Sequence, residues 1–159
     1  MPKHLRRLDR IWIESPIYFV TMCTKNRQKI LAEKSVAGIL TEEWRLAHDR
    51  SGWVVGRYVI MPDQVHFFCR PELGAKTLSQ FVGAWKTWTS RRIHELLKPQ
   101  PAAAATTALW QREFFDHLLR SSESYGEKWN YVRDNPVRAG LVTSVEGWPH
   151  AGELERLEL

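Results

Sequence analysis

The chain has 159 residues, which suits one compact domain, and 43% of them are hydrophobic, enough for a core of that size. No apolar run approaches the roughly 20 residues that a membrane-spanning helix needs. The basic start of the chain, Met1–Arg7, is followed by no apolar stretch of the kind found in secretory signals. These properties exclude a membrane-spanning protein and predict a single domain over residues 1–159, located in the cytoplasm.

A net charge of +5 and eight tryptophans permit a nucleic-acid partner without establishing one. Most of the tryptophans are expected in the core, and some could stack on unpaired bases. The two cysteines, Cys23 and Cys69, lie in apolar runs and are predicted to be buried free thiols. The chain has no Cys-x-x-Cys pair, which argues against a zinc site.

Hydrophobic periodicity predicts the element order βαββαβα. This order favours an α+β, ferredoxin-like fold, in which a four-stranded antiparallel sheet carries helices on one face. We expect Ser35 to cap the first helix, a tight turn at Pro62-Asp63, and Ser121 or Ser122 to cap the last helix. The predicted strands are Tyr18–Thr24, Trp53–Met61, Gln64–Cys69 and Leu109–Gln111, and the predicted helices are Val36–Asp49, Leu78–Leu97 and Ser122–Asp134.

Two segments are expected to lie outside the regular elements. Residues 98–108 combine prolines with an alanine run and carry no apolar periodicity, which is typical of a flexible connector. Residues 150–159 are interpreted as a C-terminal tail. Too little chain follows the connector to build a second core, so neither segment marks a domain boundary.

The third predicted strand places two polar side chains on one face. Side chains alternate along a strand, so Gln64 and His66 share a face while Val65 lies on the other. Two imidazoles at this spacing would converge on a metal ion, and here one position is glutamine, whose amide oxygen is a weaker ligand. A lone strand histidine with a purely structural role is the alternative.

The last predicted helix has two stripes. Tyr125, Trp129 and Val132 recur at the spacing of a core-facing stripe. Tyr131 and Asn135 lie four residues apart on a stripe rotated by roughly 100°. A tyrosine hydroxyl can attack a phosphodiester, and an amide one turn later could join a metal site. The structural alternative is a half-buried tyrosine and an asparagine that ends the helix before proline.

Four segments, in order from residue 18 to residue 142, resemble the REP-associated tyrosine transposases of the HUH single-tyrosine superfamily. They are YFVTMCTKNRQKIL, YVIMPDQVHFFCRP, LWQREFFDHLLRS and YVRDNPVRAGLV. The second is similar to the family segment MPDHVH, and the fourth to a Tyr-x-x-x-Asn-Pro-Val-Lys/Arg-x-Gly block. Each motif alone is moderately specific, but four in register make a chance match improbable.

The resemblance implies a role for each matching residue. Gln64 and His66 occupy the two histidine positions that hold a divalent cation, Mg²⁺ or Mn²⁺, and Asn135 matches a polar residue that helps bind it. Tyr131 occupies the position of the nucleophile. The implied activity is metal-dependent cleavage and rejoining of single-stranded or hairpin DNA through a 5′-phosphotyrosine.

Gln64 departs from the family pattern because it removes the first imidazole. Three explanations stay open: metal affinity is low, Asp63 assists, or the chain is a degenerate or altered copy. Asp63 is also an ordinary turn residue. The sequence therefore supports two hypotheses, an enzyme with a weakened metal site or a hairpin-binding module that has lost its chemistry.

Basic residues across the chain are candidates for contacts with DNA phosphates. Asp116 and His117 could support the site, touch DNA, or simply make a structural pair, for example with Arg120. By resemblance the chain acts as a monomer or a homodimer. The candidate DNA-binding residues are Lys25, Arg27, Lys29, Lys86, Arg91, Arg92 and Arg112.

Overall fold

The computed structural model describes residues 17–98 and 108–158. The predicted connector, residues 98–108, therefore lies almost wholly outside the described residues. The strands are β1 (Ile17–Cys23), β2 (Trp53–Met61), β3 (Gln64–Pro71), β4 (Phe115–Leu119) and β5 (Ala151–Glu153). The helices are α1 (Lys34–Ser51), α2 (Leu78–Leu96), α3 (Ser122–Arg133) and α4 (Asn135–Arg138).

All five strands form one antiparallel sheet in the order β4-β1-β3-β2-β5. This arrangement confirms the predicted α+β class and antiparallel sheet. The β2–β3 hairpin closes through Pro62 and Asp63, because Met61 pairs with Gln64. The sheet differs from the prediction by the fifth strand, which pairs with β2.

One face of the sheet carries the two long helices, as predicted. Aromatic rings fill this layer: Trp44 of α1 stacks on Trp85 of α2 with centroids 5.1 Å apart, and both pack on Phe67 of β3. Burial of such large rings is the main source of stability in this layer. Both cysteines are buried free thiols, as predicted.

Helix α3 packs against the opposite face of the sheet. Its predicted apolar stripe is confirmed, because Tyr125 and Val132 are buried in a second cluster with Phe68 of β3. The ring of Tyr125 meets Phe68 edge-on at 4.9 Å. The helix begins as predicted, with the Ser121 hydroxyl accepting a hydrogen bond from the Ser124 backbone N–H.

Three boundary predictions were wrong. The fourth strand is Phe115–Leu119, whereas Trp110 makes only an isolated bridge with Thr24 and is buried beside α2. Helix α1 starts after Glu33, so Ser35 lies inside the helix and does not cap it.

The third correction concerns residues 150–159, predicted as a tail. They contribute β5 to the sheet and bury Leu157, which is 5% exposed. Leu157 packs where Gly56 leaves room: a Cβ at Gly56 would lie 2.7 Å from the Leu157 Cγ. No helix among the described residues has the length and apolar character that crossing a membrane requires.

Candidate nucleic-acid interface

The predicted pair on β3 lies on the face that α3 covers only in part. Gln64 is half-buried, and His66 is buried at 8% exposure. Strand pairing places Phe115 of β4 opposite Thr21 of β1, and Thr21 opposite His66, so these three side chains form one row across the sheet. Phe115 is 68% exposed at the outer end of the row.

A hydrogen bond fixes the ring of His66. Its Nδ1 lies 2.8 Å from the Thr21 hydroxyl, and its ring is nearly parallel to that of Phe19 with centroids 5.8 Å apart. With the proton on Nδ1, the imidazole donates to Thr21 and Nε2 keeps a free lone pair. Nε2 is buried and has no hydrogen-bond partner among the described residues. In this tautomer Nε2 can accept a hydrogen bond from a ligand or coordinate it.

Burial, helped by the positive charges of Lys128, Arg138 and Arg27 and opposed by Asp63, lowers the pKa of His66 to about 4. The imidazole is consequently neutral at physiological pH.

Tyr131, the predicted nucleophile, is 61% exposed on α3. The Arg138 guanidinium lies over its ring, with Cζ 4.1 Å from the centroid, and the Lys128 Nζ lies 5.9 Å from the same centroid. Arg138 also donates a hydrogen bond to the Oδ1 of Asn135. Arg138 therefore contacts both Tyr131 and Asn135, and Lys128 lies near the same tyrosine.

Lys128 and Arg138 were not identified from the sequence. They lie three residues before and seven residues after Tyr131, which are positions of one helical stripe. The Asn-Pro pair predicts that the helix ends there, so Arg138 is not expected to continue the stripe. In the structure Asp134 has helical backbone angles and α4 follows at once, so the stripe continues to Arg138.

The residues that match the family's metal ligands fit a divalent cation poorly. They supply one imidazole nitrogen and two neutral amide oxygens, and the Asn135 oxygen already accepts from Arg138. The Gln64 Oε1 lies 3.8 Å from the Cys23 Sγ. Among residues 17–98 and 108–158 no group of three or more His, Cys, Asp or Glu side chains could hold a metal ion.

Asp63 is engaged elsewhere. Its Oδ2 accepts a 2.9 Å hydrogen bond from the Arg27 Nε, which raises the pKa of Arg27. Arg27 and its neighbour Asn26 have positive φ angles of 53° and 60°, an arrangement that costs a non-glycine residue roughly 1 kcal/mol or more. The turn after β1 is thus shaped to bring Arg27 onto Asp63, near His66.

The other candidate DNA contacts occupy different places. Lys86 donates to the backbone carbonyls of Gln111 and Arg112, at 2.9 and 3.2 Å, and so holds that loop. Arg92 forms ion pairs with Glu42 and Glu43. The remaining candidates are exposed at the surface: Lys25, Lys29, Arg91 and Arg112.

A groove of about 340 Å³ runs between β4 and α3 beside Tyr131. His117 and Lys128 line it with Tyr131, so the structure brings one of the two predicted supporting residues close to Tyr131. Asp116 is also exposed, but side chains alternate along β4, so Asp116 lies on the opposite sheet face from His117.

The chain is similar in sequence and in fold to known transposases. The REP-associated tyrosine transposase of Escherichia coli (strain K12) is 24% identical over 140 residues, which cover 88% of this chain and 78% of that protein. A solved REP-associated tyrosine transposase bound to a REP hairpin superposes with a TM-score of 0.69 at 20% identity, over 88% of this chain and 78% of the other. A candidate transposase of Deinococcus radiodurans R1 gives a TM-score of 0.55 at 20% identity, over 74% and 88% of the two chains.

The two solved structures show that the fold is shared. The sequence profile of the family described as "Transposase IS200 like" matches residues 13–135, which include the β3 motif and extend through Tyr131 to Asn135. This match covers more than half of the chain. The chain therefore belongs to the IS200-like transposase family.

Proposed function

We propose that this protein binds single-stranded or hairpin DNA and cleaves and rejoins it through Tyr131. The observation that carries the proposal is the exposed Tyr131 ring with Lys128 and Arg138 beside it, on the sheet face that also holds His66. A phosphodiester is attracted by the cations and meets a hydroxyl that no packing covers.

The proposed reaction conserves the phosphodiester bond energy. The Tyr131 oxygen forms a bond to phosphorus and the bond between phosphorus and the 3′ oxygen breaks, which leaves a 5′-phosphotyrosine. The proton leaving the tyrosine hydroxyl ends on the 3′ oxygen by way of solvent. A second 3′-hydroxyl reverses the step and joins the strands, so no nucleotide cofactor or redox partner is needed.

Single-stranded partners fit the surface better than plain duplex. Phe115 offers an exposed ring at the end of the row that leads to His66, and aromatic rings stack on unpaired bases. The solved relative is bound to a REP hairpin, which supports a hairpin as the form of DNA taken here. Lys25 and Lys29 of the exposed turn after β1 extend the positive surface.

The resemblance implies Mg²⁺ or Mn²⁺ at His66, Gln64 and Asn135, as hard cations take oxygen ligands. These residues fit such an ion poorly for the reasons given above, and we route no step of the reaction through it. A second function, hairpin binding without chemistry, is favoured by one observation, the replacement of the first imidazole by Gln64.

The two functions are separated by a covalent adduct. Wild-type protein is incubated with labelled hairpin oligonucleotides taken from the flanks of its own gene, in EDTA and in Mn²⁺, and run on a denaturing gel. The transposase proposal expects a band of protein plus oligonucleotide in at least one condition. Tight binding in a native gel with no such band in either condition would establish the binding module instead.

A further inference from the structure

Two cations beside Tyr131 have no acidic partner in the part of the chain that the structure describes. Lys128 Nζ lies 4.8 Å from the centroid of Phe19 and 5.9 Å from that of Tyr131, while Arg138 Cζ lies 4.1 Å from the Tyr131 centroid. Neither cation forms an ion pair within 4.0 Å among the described residues. Their charges are left to act on whatever approaches the tyrosine.

The same charges act where the family pattern would place a metal ion. His66 lies within the electrostatic reach of both Lys128 and Arg138. Asp63, the carboxylate that opposes their effect on His66, is bound to Arg27. A divalent cation entering this place is repelled, whereas an anion is attracted.

We propose that Lys128 and Arg138 form a phosphate-binding site at Tyr131, which holds the backbone phosphate of single-stranded DNA without a divalent cation. The inference rests on the proposed function in that the phosphate is the one Tyr131 attacks. The arginine fork can donate two N–H groups to one phosphate, and lysine adds a compact charge. Together they hold the phosphate against the tyrosine ring.

The surrounding groups allow this arrangement. Arg138 hydrogen-bonds to Asn135, a neutral amide that leaves its charge uncompensated and orients the guanidinium. Glu127 lines the same groove but is exposed and makes no ion pair with Lys128. The groove beside Tyr131, about 340 Å³, has room for a phosphate and its sugar.

The test measures binding separately from chemistry. In a Tyr131→Phe background, the affinity for a fluorescent oligothymidylate is measured in EDTA over a range of salt concentrations, for Lys128→Gln, Arg138→Gln and a control, Arg133→Gln. Arg133 lies on the same helix, about 200° around its axis from Tyr131. Each of the two site variants should raise Kd about 10-fold or more, as loss of a charge-assisted contact does.

The salt dependence gives a second readout. The slope of log affinity against log salt should become shallower by about 0.7 for each site variant, one phosphate contact on a single strand, and should not change for Arg133→Gln. Charge-preserving variants, Arg138→Lys and Lys128→Arg, should keep the slope. They also guard against a glutamine variant that fails to fold, which a thermal melt identifies.

Two outcomes overturn the site: glutamine variants that match Arg133→Gln in both Kd and slope, or wild-type binding that appears only when Mn²⁺ is added. Failure of the proposed function is a different result. In that case the wild-type protein forms no covalent adduct, while each glutamine variant binds DNA more weakly and with a shallower salt slope. The phosphate site is then present and strand transfer is absent.

Discussion

The guanidinium of Arg138 lies over the ring of Tyr131, with Cζ 4.1 Å from the ring centroid. A cation over an aromatic face stabilises both groups in place. The contact therefore fixes the orientation of an exposed tyrosine that the core does not pack, and it keeps positive charge within reach of the hydroxyl.

Tyr131→Phe should abolish the covalent adduct and change DNA affinity by no more than about 1 kcal/mol, the value of one neutral hydrogen bond. The ring, and with it the Arg138 contact, remains. The measurement pairs a denaturing gel for the adduct with fluorescence anisotropy for binding. An adduct that persists in the phenylalanine variant would assign the nucleophile to another residue.

Gln64→His should raise Mn²⁺ affinity by roughly 10- to 100-fold, the range typical of changes to a metal's ligands and their supports. The new imidazole would lie on the same strand face as His66, where Nε2 is unpartnered. Calorimetric titration of Mn²⁺ measures the change. Gln28→His, on the exposed turn after β1, is the matched control and should leave Mn²⁺ affinity unaltered.

His66 makes stability depend on pH. Its folded pKa, about 4, lies below the unfolded value of 6.5, so the unfolded chain binds the proton more readily. Stability from this group is present above pH 6.5 and is lost as pH falls towards 4. Between pH 7 and pH 5 the free energy of unfolding should drop by about 2 kcal/mol.

Urea denaturation of wild type and of His66→Gln measures this drop. The glutamine variant lacks the titrating group, so the difference between its stabilities at the two pH values should be smaller by that amount. An equal pH dependence in the two proteins would show that His66 is not buried in its neutral form.

Phe115→Ala should weaken binding to single-stranded DNA by about 1–3 kcal/mol, the usual value of one base stacked on an aromatic ring. Because the ring is 68% exposed, stability should change by less than about 0.5 kcal/mol. Leu73→Ala, at an apolar residue outside this row that is 80% exposed, controls for loss of apolar surface. Equal affinities of the two variants would exclude Phe115 from the interface.

Leu157→Ala should destabilise the fold by about 2–3 kcal/mol, since it empties a packed position against Gly56. Glu158→Ala, whose side chain is exposed, should stay within about 0.5 kcal/mol of wild type. Urea denaturation compares the two. A Leu157→Ala variant as stable as Glu158→Ala would show that packing of Leu157 does not stabilise the fold.

The parts of the fold that follow a strict period could be predicted from the sequence. Alternation along β3 placed Gln64 and His66 on one face, and strand pairing confirms it. The 3.6-residue period placed Tyr125 and Val132 in the core, and both are buried. Local patterns succeed here because one face of each element is buried.

Elements that depend on distant pairing could not be predicted in this way. Strand β4 exposes Phe115, Asp116 and His117, so it has no apolar alternation, and only its pairing with β1 defines it. Trp110 looked like a strand residue because it is apolar, but it fills space beneath α2, where its indole N–H donates to Thr89. Arg138 was not identified for a related reason. Pro136 predicts that the helix ends, whereas the helical backbone continues through Asp134 into α4.

The short fifth strand protects the edge of the sheet, and its removal by proteolysis would expose β2. β5 pairs with Arg57, Tyr58 and Val59, and without it the nine-residue β2 would become an open edge with unpaired backbone groups. Long apolar edges recruit strands from other molecules, whereas a three-residue edge offers little to pair with. Proteolysis before Ala151 would therefore convert this monomer-compatible sheet into a template for aggregation.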